Sequence, residues 1–227
     1  MKTVMNIASL ILLGIILQIG GAYIVNAAVE YFASSAAAQG SADGAAAAAA
    51  LQYIDYMAYI KSIEPRQFAH VVFVAPLIEE IVFRLIFLRA GKMVMPFWAA
   101  NIAQSVMFAI YHSYTIQRIY VFVMGLIIGA VFYYCPIIYR NASAQKPDGG
   151  ALRDIPDALI GVGATFILHM VINGSGLFLV PLFPADIPLP AQVVIGCILM
   201  AVAGGTVYIL YRQAKSAAAE TLPEGEA

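Results

Sequence analysis

Six stretches of this chain, near residues 4–28, 67–89, 94–113, 117–138, 155–173 and 189–211, are almost wholly apolar and long enough to cross a lipid bilayer. About 20 residues rising about 1.5 Å each traverse a hydrocarbon core of about 30 Å. Within that core the backbone has no water to bond, so each segment must close its own hydrogen bonds, which for segments of this length means helices. The chain is 62% hydrophobic and 11% charged over 227 residues, a balance that leaves little polar surface for a water-soluble exterior. The expected fold is all-α: a polytopic transmembrane helical bundle of about six to eight helices.

The first apolar run follows Lys2 and ends in small residues at Asn26, Ala27 and Ala28, which invites confusion with a cleaved leader. It is longer than the 7–15 residues or so of a leader's apolar region and is read as a retained span. Residues 34–50 are nearly all Ala, Ser and Gly and lead into LQYIDYMAYIKSI, where Asp55 sits among aromatic side chains. An interfacial or re-entrant helix suits this composition better than a seventh span, because Ala favours helix but is weakly apolar. Residues 141–154 read as a loop, 174–188 as a Gly- and Pro-rich connection and 214–227 as a flexible polar tail, with residues 1–227 forming one membrane domain.

With six spans and the N-terminus in the cytoplasm, Lys2, Arg89, Lys92, Arg140, Lys146, Arg153, Arg212 and Lys215 fall inside, against Lys61, Arg66 and Arg118 outside. A net charge of -1 with no run of Lys or Arg offers no footprint for nucleic acid, and no Gly-rich phosphate loop is present. Cys135 and Cys197 lie in separate apolar segments and read as small buried hydrophobes.

Glu79, Glu80 and Arg84 stand inside the apolar stretch HVVFVAPLIEEIVFRLIFL. A charged group near the bilayer centre costs at least about 2.5–3.5 kcal/mol, so three of them point to a site or an ion pathway inside a bundle. Glu80 and Arg84 are four apart and can pair on one helix face; Glu79 then points about 100° away, leaving its carboxylate free of the guanidinium. A second segment sets Phe108 one turn before His112, with Asn101 and Gln104 upstream, and His112 is the natural partner for Glu79. A third carries Thr165, His169 and Asn173 at successive i,i+4 positions, so that a hydroxyl, an imidazole and an amide share one face. Taken singly, each has a structural explanation: an intramembrane ion pair, a hydrogen-bonded bundle histidine, a common His/Asn spacing. Together they place two of the chain's three histidines on polar stripes, while His70 sits near a helix start as an interfacial residue.

The order Glu79-Glu80-x-x-x-Arg84, Phe108-x-x-x-His112, His169-x-x-x-Asn173 resembles the three-motif signature of the CAAX protease and bacteriocin-processing family, also called Abi, of intramembrane proteases that includes type II CAAX prenyl proteases. The matched core runs from about residue 67 to 175. The resemblance implies an intramembrane endopeptidase in which Glu79 and His112 activate a water, His169 and Asn173 donate hydrogen bonds to the oxyanion, and Glu80, Arg84 and Phe108 support them. It implies no cofactor and a membrane protein or peptide as substrate, lipidated or not; the short length and absence of eukaryotic targeting segments suggest a multi-pass protein of a prokaryotic cell membrane. Glu79, His112 and His169 also make up a His₂Glu set of the kind that binds catalytic zinc, so a zinc-dependent version of the same protease stays open although HExxH is absent. Gly174-Ser175-Gly176 is a poor candidate for a serine nucleophile, and Asp154 and Asp157 read as helix-start residues, not as an aspartyl dyad. From other classes, a proton-coupled carrier built on Glu79, Arg84 and the histidines lacks the inverted repeat usual for such proteins. An immunity or binding scaffold that keeps the motifs without proteolysis is the remaining alternative.

Overall fold

The computed structural model describes residues 7–38, 44–142, 154–179 and 187–219, and among them every regular element is helical. We number seven helices: α1 Ile7–Ala38, α2 Ala45–Lys61, α3 running from Pro65 to Lys92, α4 Phe97–Tyr111, α5 Thr115–Ala142, α6 Asp154–Phe178 and α7 Leu189–Ala219. Four of them, α1, α5, α6 and α7, are long and apolar enough to cross a membrane. The polytopic helical bundle expected from the apolar pattern is what the chain forms. Three expected boundaries move: α5 reaches Ala142 and α6 reaches Phe178, so both read connections are shorter, and α7 continues to Ala219 through the first part of the expected tail. Residues 143–153 and 220–227 lie outside the described residues.

Close approaches at glycine fix the helix directions. α4 and α5 are antiparallel about the turn at residues 112–114: a Cβ on Gly125 would meet Ser105, and one on Gly129 would fall 1.9 Å from Asn101 Oδ1. Small residues let two helix backbones come together where the bilayer offers no hydrophobic drive to do so. The polar groups exposed by that approach bond across it. Asn101 Nδ2 donates to the Leu126 carbonyl at 2.9 Å, and Gln104 Nε2 donates to the Gly125 carbonyl at 3.1 Å. α6 packs antiparallel to α5, with Gly161 against Phe132, and α1 runs parallel to α6, with Gly14 beside Leu168 and Val171 and Gly176 beside Gln18. α7 returns antiparallel to α1 along Gly20 and Gly196. The main core gathers Leu13, Leu17, Met124, Ile128, Val131 and Leu168 between these helices.

These directions decide where α2 lies. α1 ends at the same end of the bundle as α6, and α3 begins there, since Phe68 in its first turn packs edge-on against Phe178 at the close of α6. A helix that starts and finishes at one end does not cross, so α2 lies over that end, with Ala49 and Ala50 packed on Val25 and Ile116. Cys135 is buried as expected, but Cys197 is exposed on the outer side of α7, because that helix packs on α1 and α5 through its other face.

α3 starts at a reciprocal cap, in which the Gln67 side chain accepts from the Glu64 N–H at 3.2 Å, with Pro65 at the first helical position. It is one continuous helix that twice widens into i→i+5 turns, at His70–Val74 and Glu80–Leu88. The first is answered by Pro76, which has no N–H to give and whose ring would strike the carbonyl four residues back in a regular helix. Wide turns of this sort concentrate at functional sites.

Replacing Gly129 with Ala should lower the thermal midpoint in detergent by the equivalent of about 1–3 kcal/mol, the usual cost of forcing a methyl group into a packed contact. Gly163→Ala, at a helix position with nothing within 4 Å, serves as the control and should leave the midpoint unchanged or slightly higher.

Candidate active site

The first wide turn of α3 creates an acceptor that another helix must satisfy. The Ala75 N–H bonds the His70 carbonyl, and the next residue is Pro76, so the Val71 carbonyl has no backbone donor in either register. Asn173 Nδ2 donates to it at 2.9 Å. One amide hydrogen of Asn173 is thus spent on holding α6 to α3, and the second remains.

Deeper in the bundle, Glu80 and Arg84 are both completely buried, with Arg84 Nη1 3.2 Å from Glu80 Oε1. The guanidinium lies over the face of Phe108, its carbon 4.4 Å from the ring centroid. None of the three guanidinium nitrogens has a well-aligned hydrogen bond among the described residues, so the ion pair and the aromatic face compensate the buried cation. His169 completes the cluster: Nδ1 is 2.7 Å from Glu80 Oε1, and Nε2 is 3.5 Å from Glu79 Oε2. A carboxylate beside Arg84 can only accept, which assigns a proton to Nδ1. Thr165, one turn earlier, turns its hydroxyl to the Gly161 carbonyl at 3.0 Å and stays within its own helix.

Glu79 stands apart from this compensated pair, as the helical spacing implied, and its side chain retains 13% exposure. It lines a cavity of about 510 Å³ together with His112, His169 and Asn173. His112 follows the last turn of α4, where its Nδ1 donates to the Phe108 carbonyl at 2.8 Å, leaving Nε2 as the nitrogen available to the cavity. Arg118 Nε donates to the His112 carbonyl at 2.6 Å and fixes the turn. Phe108 packs edge-on against both imidazoles, at 4.9 Å from His112 and 5.9 Å from His169.

The residues singled out in the sequence are therefore brought together, with one change of partner. The imidazole against Glu79 is that of His169; His112 bonds its own helix and faces the same cavity, because it lies just beyond the end of α4 where a carbonyl is left unpaired. Among the described residues no three His, Cys, Asp or Glu side chains converge as a metal-binding group, and both nitrogens of His169 already face carboxylates. Sequence reasoning missed the far wall of the cavity, which α1, α2 and the start of α5 supply through Gln18, Tyr53, Tyr56, Gln117 and Tyr120. The only signal for it was the aromatic run around Asp55.

The arrangement offers an uncompensated carboxylate, an imidazole with a free nitrogen and two hydrogen-bond donors around one space, which is the equipment of general acid–base chemistry on a polarised carbonyl. Replacing Arg84 with Leu should strand Glu80 and cost about 3–5 kcal/mol, read as thermal unfolding in detergent, whereas the double change Glu80→Leu with Arg84→Leu should be less damaging than Arg84→Leu alone.

Residues 62–139 match the family model described as Type II CAAX prenyl endopeptidase Rce1-like. No curated protein and no solved structure matches the chain. The matched stretch, about a third of the chain, contains Glu79, Glu80, Arg84, Phe108 and His112; His169 and Asn173 reach the same cavity from beyond it. Over that stretch the chain is similar to type II CAAX prenyl endopeptidases, and four of its helices are long and apolar enough to cross a membrane.

Proposed function

We propose that this protein is a glutamate-dependent intramembrane endopeptidase that cleaves a membrane-associated protein or peptide. The observation that carries the reading is the division of labour between adjacent carboxylates: Glu80 is closed off by Arg84 and His169, while Glu79 opens into the cavity that His112, His169 and Asn173 also line. Glu79 takes a proton from a water whose oxygen attacks the scissile carbonyl, with His112 Nε2 orienting that water. Nε2–H of His169 and the second amide hydrogen of Asn173 donate to the oxyanion. The proton held by Glu79 then passes to the departing nitrogen as the C–N bond breaks.

The water is activated here by protein groups alone, without a metal or other cofactor. The excess of Lys and Arg at the bundle end opposite the cavity mouth supports a mouth that faces away from the cytoplasm.

Glu79→Gln should lower the cleavage rate of a fluorogenic membrane peptide by at least about 100-fold with an unchanged thermal midpoint, and His112→Ala should fall in the same range. Asn173→Ala should cost about 100- to 1,000-fold as an oxyanion donor. Activity retained in a strong chelator is the expected outcome; loss in chelator with recovery on adding zinc would overturn the metal-free chemistry, and full activity of Glu79→Gln would overturn the role of Glu79.

A further inference from the structure

The cavity wall opposite Glu79 is built from aromatic rings that the proposed hydrolysis does not use. Tyr53 and Tyr56 of α2, Tyr111 and Tyr114 beside the α4–α5 turn and Tyr120 of α5 all line the cavity, as does Phe108. Tyr56 packs on Tyr114 with ring centroids 4.6 Å apart, and Tyr53 lies 6.3 Å from Tyr56, so the rings form a continuous wall. Tyr120 donates its hydroxyl to Gln18 Oε1 at 2.6 Å, which ties α5 to α1 behind them. Gln117 lines the same cavity as Tyr56 and Glu79.

No Lys or Arg lines this cavity among the described residues. The two guanidiniums nearby are committed elsewhere, Arg84 to Glu80 and Phe108, and Arg118 to the His112 carbonyl. Glu79 is the one carboxylate that lines this cavity among the described residues. Ring faces and a carboxylate attract a cation and repel an anion.

We propose that the α2 tyrosines form a specificity subsite that accepts a Lys or Arg side chain of the substrate next to the scissile bond. The inference rests on the protease reading, with Tyr53 and Tyr56 as residues that touch substrate without taking part in bond cleavage. It implies that α2, which lies over the mouth without crossing, sets which sequences enter and not how fast the bond breaks.

The test measures binding and cleavage separately. Detergent-purified full chain is titrated with fluorescent apolar peptides in which one position carries Lys, norleucine or Glu, scanned along the peptide, and the same peptides are then assayed for cleavage. At one position the Lys peptide should bind about tenfold more tightly than the norleucine peptide, with the Glu peptide weakest. Tyr56→Phe should keep that preference, because the ring carries it. Tyr56→Ala and Tyr53→Leu should abolish it, bringing the Lys and norleucine peptides to equal affinity, a loss in KM and not in kcat. Equal binding of Lys and norleucine by the unaltered protein, or a uniform loss for all peptides in both variants, would overturn the subsite. Preference for Lys without any cleavage would support the subsite and overturn the protease reading; cleavage without preference would do the reverse.

Discussion

The compensated pair of Glu80 and Arg84 is the constraint around which this bundle is organised. Two charges with no exposure to solvent can persist in a membrane helix only if their surroundings are fixed, and here the surroundings are a ring from α4 and an imidazole from α6. Each contact recruits a different helix. Satisfying one buried cation therefore positions Phe108 and His169, and with them the two elements that bring His112 and Asn173 to the cavity. The energy of the pair itself is secondary, since buried ion pairs often do no better than apolar replacements; what the pair supplies is a unique arrangement.

A second constraint acts through the backbone. Pro76 leaves the Val71 carbonyl without a donor, and Asn173 fills the position from another helix. The same amide group thus locks α6 against α3 while lining the cavity that Glu79 also lines. His169 is fixed in a similar way, its two nitrogens facing two carboxylates.

Much of this was legible in the sequence because it is local. Helical spans follow from the length of apolar runs, and the pairing of Glu80 with Arg84 follows from a spacing of four on one helix, which survives the wide turn. The non-crossing placement of α2 follows from its weak apolarity. What escaped was set by helix packing. Whether Glu79 meets His112 or His169 depends on how α3, α4 and α6 come together, and His112, placed just past its helix, turned to a carbonyl that no sequence pattern marks as free. The link from Asn173 to Val71 joins residues 102 apart in the chain, and its cause is a proline read only as part of an apolar run. Tyr53 and Tyr56 belong to a helix whose composition suggested surface and whose position makes it a wall. Cys197 went the other way: an apolar neighbourhood in a lipid-facing helix is no evidence of burial, because lipid itself is apolar.

Because α2 returns to the end from which it started, it changes no parity: the helices that do traverse the bundle are even in number, and the start of α1 and the finish of α7 emerge together on the face remote from the cavity mouth. A reporter domain fused ahead of α1 or behind α7 would hang in the opposite compartment from the cavity mouth. Tethering, immobilisation or paired fluorescent fusions at those two points would leave the entrance unobstructed.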